Sequence, residues 1–179
     1  MERSACASAQ SSSMAINGKT VLAVIPARSG SKRCPNKNFL DFRGKPLYLW
    51  SVEHACASKY IDRTKVSFDA DRPPELCTDD ASSEDVLRHH LAQTPHDWVV
   101  LLQPTSPLRT AEDIDACIER AQMGNGCISV GEDGITNGAV YVATAEWLAQ
   151  HDFSHMGLLK YRMQDSRSLD INYAEDFEK

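Results

Sequence analysis

The chain has 179 residues, of which 42% are hydrophobic and 25% are charged, as is typical of a globular domain in water. This length predicts one domain with room for a sizeable core. The 19 Lys and Arg residues against 25 Asp and Glu give a formal net charge of −6, which argues against a broad nucleic-acid surface or an anionic-membrane surface. No run approaches the ~18 apolar residues of a spanning helix, so we expect no membrane-embedded body.

The N-terminal stretch and the cysteines bear on the cellular compartment. Residues 1–19 are rich in Ser and Ala and lack the apolar core of a secretory signal, so we expect a disordered leader or tail, with organelle targeting left open. The six cysteines contain no C-x-x-C pair, which predicts reduced thiols. We therefore expect a cytoplasmic protein whose folded domain covers residues 20–179.

From residue 20 onward, short apolar runs alternate with helical patterns. Ser82 and Thr110 are placed as the N-caps of two helices. The predicted strands cover residues 20–26, 64–68, 98–103, 127–130 and 138–143. The predicted helices cover residues 46–59, 82–93, 110–121, 145–150 and 174–179, and residues 158–163 and 168–172 are further extended candidates. This alternation predicts an α/β fold with a mostly parallel sheet and helices on both faces.

In such folds the ligand lies at the carboxyl ends of the strands. Three segments occupy that position: residues 27–38, residues 103–109, and the turn around Asp170. We therefore expect these three segments to meet at one site.

The first of these segments carries the strongest chemical signal. The sequence IPARSGSKRCPNKN (25–38) holds four cations, namely Arg28, Lys32, Arg33 and Lys37. Because Arg grips phosphate oxygens bidentately and Lys adds a mobile point charge, four cations after a buried strand predict an anion site. Both the Walker A and the G-x-G-x-x-G patterns are absent. A solvated basic loop is the alternative, and the position after a buried strand disfavours it.

The second segment is LLQPTSPLRT (101–110). Gln103 stands where a buried strand ends, so its amide can face a ligand while Pro104 and Pro107 stiffen the loop. An ordinary proline turn explains the same residues equally well.

Six motifs in order resemble those of the acylneuraminate cytidylyltransferases, the family of the CMP-sialic acid synthetases. They are IPARSGSKRCPNKN (25–38), GKPL (44–47), DDASS (79–83), LLQPTSPLRTAEDID (101–115), NGAVY (137–141) and SLDIN (168–172). The resemblance runs from about Val21 to the end of the chain and implies a Rossmann-like nucleotidyltransferase fold. It also implies that CTP and a nine-carbon 2-keto sugar acid give a CMP-sugar and pyrophosphate. In that reaction the sugar hydroxyl attacks the α-phosphate and Mg²⁺ neutralises phosphate charge.

The resemblance also implies residue roles. The nucleotide-binding residues would be Arg28, Ser31, Lys32, Lys37 and Asn38 around the triphosphate, with Arg72 and Ser83 at the cytidine. The sugar-binding residues would be Gln103, Asn137 and Tyr141. The metal ligands would be Asp170 and Asn172, and the catalytic residues would be Arg28, Lys32 and Asp170.

The sequence departs from the family pattern at three places. A strand–helix segment is missing near residues 69–72. Residues 131–136 replace a longer segment that carries sugar-binding arginines and an arm reaching the neighbouring subunit, and Ile135 stands where an arginine is usual. Asn172 replaces an aspartate of the metal-binding D-I-D.

Three explanations of the short junctions stay open: a true deletion, residues omitted from the chain as given, or an engineered or spliced form. A homodimer is expected if the arm is present, and a monomer or weak dimer otherwise. The alternative function is a catalytically weakened CTP-binding protein of the same fold, which pyrophosphate release would distinguish from the enzyme.

Overall fold

The computed structural model of the protein describes residues 16–179. The leader prediction for residues 1–15 lies outside the described residues. Ile16 is buried and its carbonyl accepts a hydrogen bond from the Lys19 amide at 2.8 Å. Ile16 therefore belongs to the core, whereas residues 17–19 are exposed.

The described chain forms eight strands and four α-helices. The strands are β1 (Val21–Pro26), β2 (Asp41–Phe42), β3 (Lys45–Pro46), β4 (Arg63–Ser67), β5 (Trp98–Leu101), β6 (Gly126–Val130), β7 (Thr136–Thr144) and β8 (Leu159–Arg162). The helices are α1 (Leu47–Ala57), α2 (Ser83–Gln93), α3 (Ala111–Ala121) and α4 (Ala145–Leu148).

The main sheet has six strands in the order β4-β1-β5-β7-β6-β8. β1 runs parallel to β4 and β5, and β6 runs parallel to β8. β7 is antiparallel to both of its neighbours, and Tyr141 in its second half pairs with Leu101 at the end of β5. The predicted mostly parallel sheet is confirmed, with one strand reversed.

Helices cover both faces of this sheet, as predicted. On one face Ala23 of β1 joins Val52 of α1 and Ile114 of α3 in a buried cluster. On the other face Val24 packs with residues of α2 and α4, among them Leu87. Neighbouring residues of β1 point to opposite faces, so a strand buried on both sides requires the continuous apolar run seen in the sequence.

The two predicted N-caps are present. The Ser82 hydroxyl accepts from the Asp85 amide at 3.0 Å. Thr110 and Asp113 form a reciprocal capping box at the start of α3. These caps fix where α2 and α3 begin, directly beside the carboxyl edge of the sheet.

Several sequence predictions differ from the structure. Residues 168–172 form no strand, although the Ile171 amide bonds the Thr105 carbonyl at 2.8 Å. Residues Ala174–Glu178 form a 3₁₀ turn where a final helix was expected. The small β2–β3 pair was not predicted, because two-residue strands carry no periodicity.

The cysteines only partly follow the prediction of reduced thiols. Cys34, Cys77, Cys117 and Cys127 are free thiols. Cys56 is disulfide-bonded and departs from that prediction.

Over the described residues, no helix has the length and apolarity needed to cross a bilayer.

Both short junctions close within the fold. Residues Asp69–Asp71 form a 3₁₀ turn directly after β4. Residues 131–135 form a tight turn between β6 and β7, in which the Gly131 amide bonds the Ile135 carbonyl at 2.8 Å. Gly134 has φ +81°, a conformation that glycine adopts without strain.

Candidate functional site

A cavity of about 360 Å³ opens at the carboxyl edge of β1, β4 and β5. All three segments selected from the sequence line it. The predicted site residues in its wall are Arg28, Lys37, Asn38, Arg72, Ser83, Gln103, Tyr141, Asp170 and Asn172. Ser31, Lys32 and Asn137 lie outside this lining.

The basic loop, residues 27–38, is held in place through its peptide groups. Asp69 accepts from both the amide and the hydroxyl of Ser29, at 2.9 and 2.5 Å. The buried Asn38 side chain donates to the Arg28 carbonyl at 2.9 Å. The loop conformation is therefore fixed by neutral and acidic partners that do not use the ends of its cationic side chains.

The cations of this loop have partners of their own. Arg28 Nη1 lies 2.8 Å and Lys32 Nζ 3.3 Å from the two carboxylate oxygens of Asp79. Lys37 Nζ donates to the Ile171 carbonyl at 3.2 Å. Burial lowers the pKa of Lys37, and Asp170 works in the opposite direction. Asp79 was not singled out from the sequence, although it stands in the DDASS motif.

Arg72 forms part of the cavity wall and is itself 8% exposed. Its guanidinium donates to the carbonyls of Ser67 at 2.6 Å and Leu76 at 3.2 Å. The Ser67 hydroxyl in turn bonds His90 Nε2 at 2.7 Å. Arg72 thus ties the end of β4 to the following turn, and burial lowers its pKa.

Gln103 is held at the base of the cavity by Arg109. The Arg109 guanidinium is fully buried and donates to the Gln103 and Ser106 carbonyls, each at 2.8 Å, and to the Ser51 hydroxyl. The Gln103 amide donates to Ser83 Oγ at 3.3 Å. Arg109 was not among the site residues predicted from the sequence, although it stands in LLQPTSPLR, a loop stiffened by two prolines.

A second depression of about 300 Å³ continues the cavity on the Tyr141 side. It shares Ser83, Gln103 and Tyr141 with the main cavity and adds Glu84. Among the described residues that line it there is no Lys or Arg. Burial, assisted by Glu84, raises the pKa of Tyr141.

The predicted sugar ligand Asn137 lies outside the cavity lining, and its side chain is hydrogen-bonded to two serines. Its side chain accepts from Ser129 Oγ at 2.6 Å and donates to Ser168 Oγ at 3.0 Å. Asn137 therefore connects β6, β7 and the segment before Asp170.

Asp170 and Asn172 lie together at the cavity rim. The Asn172 amide donates to the Asp170 carboxylate at 2.7 Å. Within residues 16–179 no cluster of three or more His, Cys, Asp or Glu side chains has metal-site geometry. One carboxylate beside an amide fits a hard cation that keeps most of its waters and shares its other ligands with phosphates.

The comparisons with known proteins agree with the motifs. The family model described as Cytidylyltransferase matches residues 22–78. N-acylneuraminate cytidylyltransferase of Escherichia coli O18:K1:H7 is 29% identical over 88% of this chain and 50% of its own length. CMP-N,N'-diacetyllegionaminic acid synthase of Legionella pneumophila is 33% identical over 62% of this chain and 57% of its own length.

A solved structure shares the fold. CMP:2-keto-3-deoxy-manno-octonic acid synthetase complexed with CTP matches with a TM-score of 0.68 at 14% identity, covering 89% of this chain and 96% of that one. The chain spans about half the length of the curated relatives it matches. These matches confirm the predicted resemblance to acylneuraminate cytidylyltransferases.

Proposed function

We propose that the cavity binds CTP and that the protein transfers CMP to an acidic sugar, namely a nine-carbon 2-keto sugar acid, with release of pyrophosphate. One observation carries the proposal. The basic loop, Arg72 and Ser83 from the cytidine motifs, and Gln103 all line one cavity at the carboxyl edge of the sheet.

The basic loop would hold the triphosphate. Arg28 and Lys37 line the cavity, and Lys32 reaches the same acidic partner as Arg28. Positive groups fixed beside the leaving pyrophosphate stabilise the charge that develops there in the transition state. Asn38 and Asp69 keep the loop in one conformation, so little reorganisation would be needed during reaction.

Arg72 and Ser83 would shape the cytidine side. Arg72 braces the strand end and the turn that follows it. Ser83 offers a hydroxyl beside Gln103. Rigid polar groups of this kind orient a base and a ribose.

We propose Asp170, with Asn172 beside it, as the holder of Mg²⁺. When bound, the ion would neutralise phosphate charge. Asp170 supplies the charged ligand, while Asn172 fixes the orientation of that carboxylate through its amide.

Pyrophosphate release from CTP and N-acetylneuraminate tests the proposal. Arg28→Ala should lower turnover roughly 30- to 1,000-fold, since one lost charge-stabilising contact costs ~2–4 kcal/mol in the transition state. Arg33→Ala is the matched control, because Arg33 belongs to the same loop but lies over the Tyr173 ring, outside the cavity lining. Equal turnover of Arg28→Ala and wild type would contradict the triphosphate assignment.

A second candidate is CTP binding without transfer. The depression beside Tyr141 favours it, because that depression contains Glu84 and, within the described chain, no cation to receive a sugar carboxylate. Saturable CTP binding without pyrophosphate release, tested with several nonulosonic acids, would establish this candidate over the enzyme.

A further inference from the structure

We propose that Asp79 is a removable counter-ion: its carboxylate occupies the cationic ends of the basic loop, and a ligand's phosphate groups must displace it to bind. The inference rests on the proposed function, because it concerns the same phosphate site. It makes Asp79 a determinant of selectivity for ligands that carry several negative charges.

The geometry places one carboxylate on two cations. Asp79 Oδ1 contacts Arg28 Nη1 at 2.8 Å, and Asp79 Oδ2 contacts Lys32 Nζ at 3.3 Å. One oxygen for each cation is the arrangement that two oxygens of a phosphate group would otherwise offer. Asp79 and a bound phosphate therefore compete for the same donors.

The ion pairs of Asp79 with Arg28 and Lys32 are exposed enough to water to separate at low cost. The side chains of Asp79 and Arg28 are 28% and 29% exposed, and that of Lys32 is 82% exposed. Water can therefore solvate all three groups when they separate, and exposed pairs of this kind are individually weak. The hydrogen bond from Lys32, followed by that from Arg28, lowers the pKa of Asp79, so the carboxylate stays charged at neutral pH.

The loop itself does not depend on Asp79. A different carboxylate, that of Asp69, holds the Ser29 amide and hydroxyl, and Asn38 holds the Arg28 carbonyl. When Asp79 leaves, the loop backbone keeps these contacts. The released side-chain ends of Arg28 and Lys32 can then contact the incoming phosphates while the loop backbone stays in place.

Displacement has a consequence for selectivity. A ligand that does not touch Arg28 and Lys32 leaves the Asp79 contacts intact and is unaffected by them. A polyphosphate brings enough charge to replace one carboxylate on two cations. Removing the Asp79 charge should thus strengthen binding of polyphosphates and leave binding of an uncharged nucleoside unchanged.

The test is calorimetric titration of the full chain with CTP, inorganic pyrophosphate and cytidine. The variants are Asp79→Asn and Asp79→Ala, and Asp80→Asn is the matched control that removes the same charge one residue away. Both Asp79 variants should bind pyrophosphate and CTP about threefold to tenfold more tightly than Asp80→Asn does, as expected for the loss of two exposed ion pairs. Cytidine affinity should be equal in all of them.

Each contrary result has a distinct meaning. Equal pyrophosphate affinity in the Asp79 and Asp80 variants, with CTP still bound by wild type, would overturn this inference alone. Weaker pyrophosphate binding in both Asp79 variants would show that Asp79 organises the loop and would also overturn it. Failure of every variant to bind CTP would defeat the proposed function together with this inference. Thermal unfolding by circular dichroism accompanies each titration, and loss of the fold in both Asp79 variants would make Asp79 a structural residue and reject the inference.

Discussion

Replacing Arg109 tests how a buried charge positions the site. Arg109 is fully buried, and its guanidinium serves the Gln103 and Ser106 carbonyls and the Ser51 hydroxyl. Burial lowers its pKa to about 9, so it remains charged at pH 7. Arg109→Met keeps the apolar volume but removes all three hydrogen bonds.

The expected cost follows from these contacts. Each buried polar group left without a partner costs ~1–3 kcal/mol, whereas removing a buried charge returns part of its desolvation penalty. We expect a net loss of about 2–4 kcal/mol in the free energy of unfolding. Because Gln103 is one of the groups released, KM for the substrates should also rise.

Urea unfolding followed by circular dichroism measures the first effect, as a lower midpoint with an unchanged slope. Arg120→Met is the control, because Arg120 is an exposed residue of α3, the helix that begins just after Arg109. This variant should lose less than about 1 kcal/mol in the free energy of unfolding. Equal midpoints for the two variants would refute the assignment of Arg109 as the support of the Gln103 loop.

Three further predictions concern pH, metal and assembly. Burial lowers the pKa of His90 to about 4, against ~6.5 in the unfolded chain, so the free energy of unfolding should fall by up to ~3 kcal/mol as the pH drops from about 6.5 to about 4. His90→Gln should remove that part of the pH dependence, measured by urea unfolding at pH 7 and 4.5. An equal loss of stability between these two pH values in His90→Gln and wild type would contradict the prediction. Asn172→Asp sets a second carboxylate beside Asp170, so the Tm of this variant should be below that of wild type in EDTA and should rise more with Mg²⁺. Asp170→Asn should lose the Mg²⁺-dependent rise in Tm. Identical plots of Tm against Mg²⁺ concentration for wild type and both variants would place the metal elsewhere. A polypeptide whose intact mass matches this 179-residue chain should sediment as a monomer or weak dimer because residues 131–136 only close a turn, and a tight dimer of that mass would contradict this.

The sequence predicts most of the architecture because its strands are buried on both faces and its main helices begin at polar caps. The apolar run ending at Pro26 matches the end of β1, whereas β5 ends at Leu101, two residues before Gln103. The carboxyl-edge rule correctly placed residues of the basic loop, Gln103 and Asp170 around one cavity. The reversed direction of β7 was missed, although residues 131–137 between the predicted strands 127–130 and 138–143 are too few for a parallel crossover.

Contacts between distant segments of the chain were also not predicted from the sequence. Nothing in the local sequence of Asp79 distinguishes a residue that pairs with Arg28 from an ordinary solvated acid. The same holds for Asn137, whose N-G-A-V-Y context suggested a ligand contact while its amide joins Ser129 and Ser168. Such contacts depend on the three-dimensional path of the chain, which short-range patterns do not encode.

The reversed strand β7 gives the protein a region whose length can change independently of its core. The turn at residues 131–135 joins β6 to β7 at the edge of the sheet that carries the cavity. Both strands are already paired on either side, so extra residues inserted there would leave the register of Leu101 and Tyr141 unchanged. A longer segment grafted at this turn would leave the cavity lining unchanged, because none of residues 131–135 belongs to it.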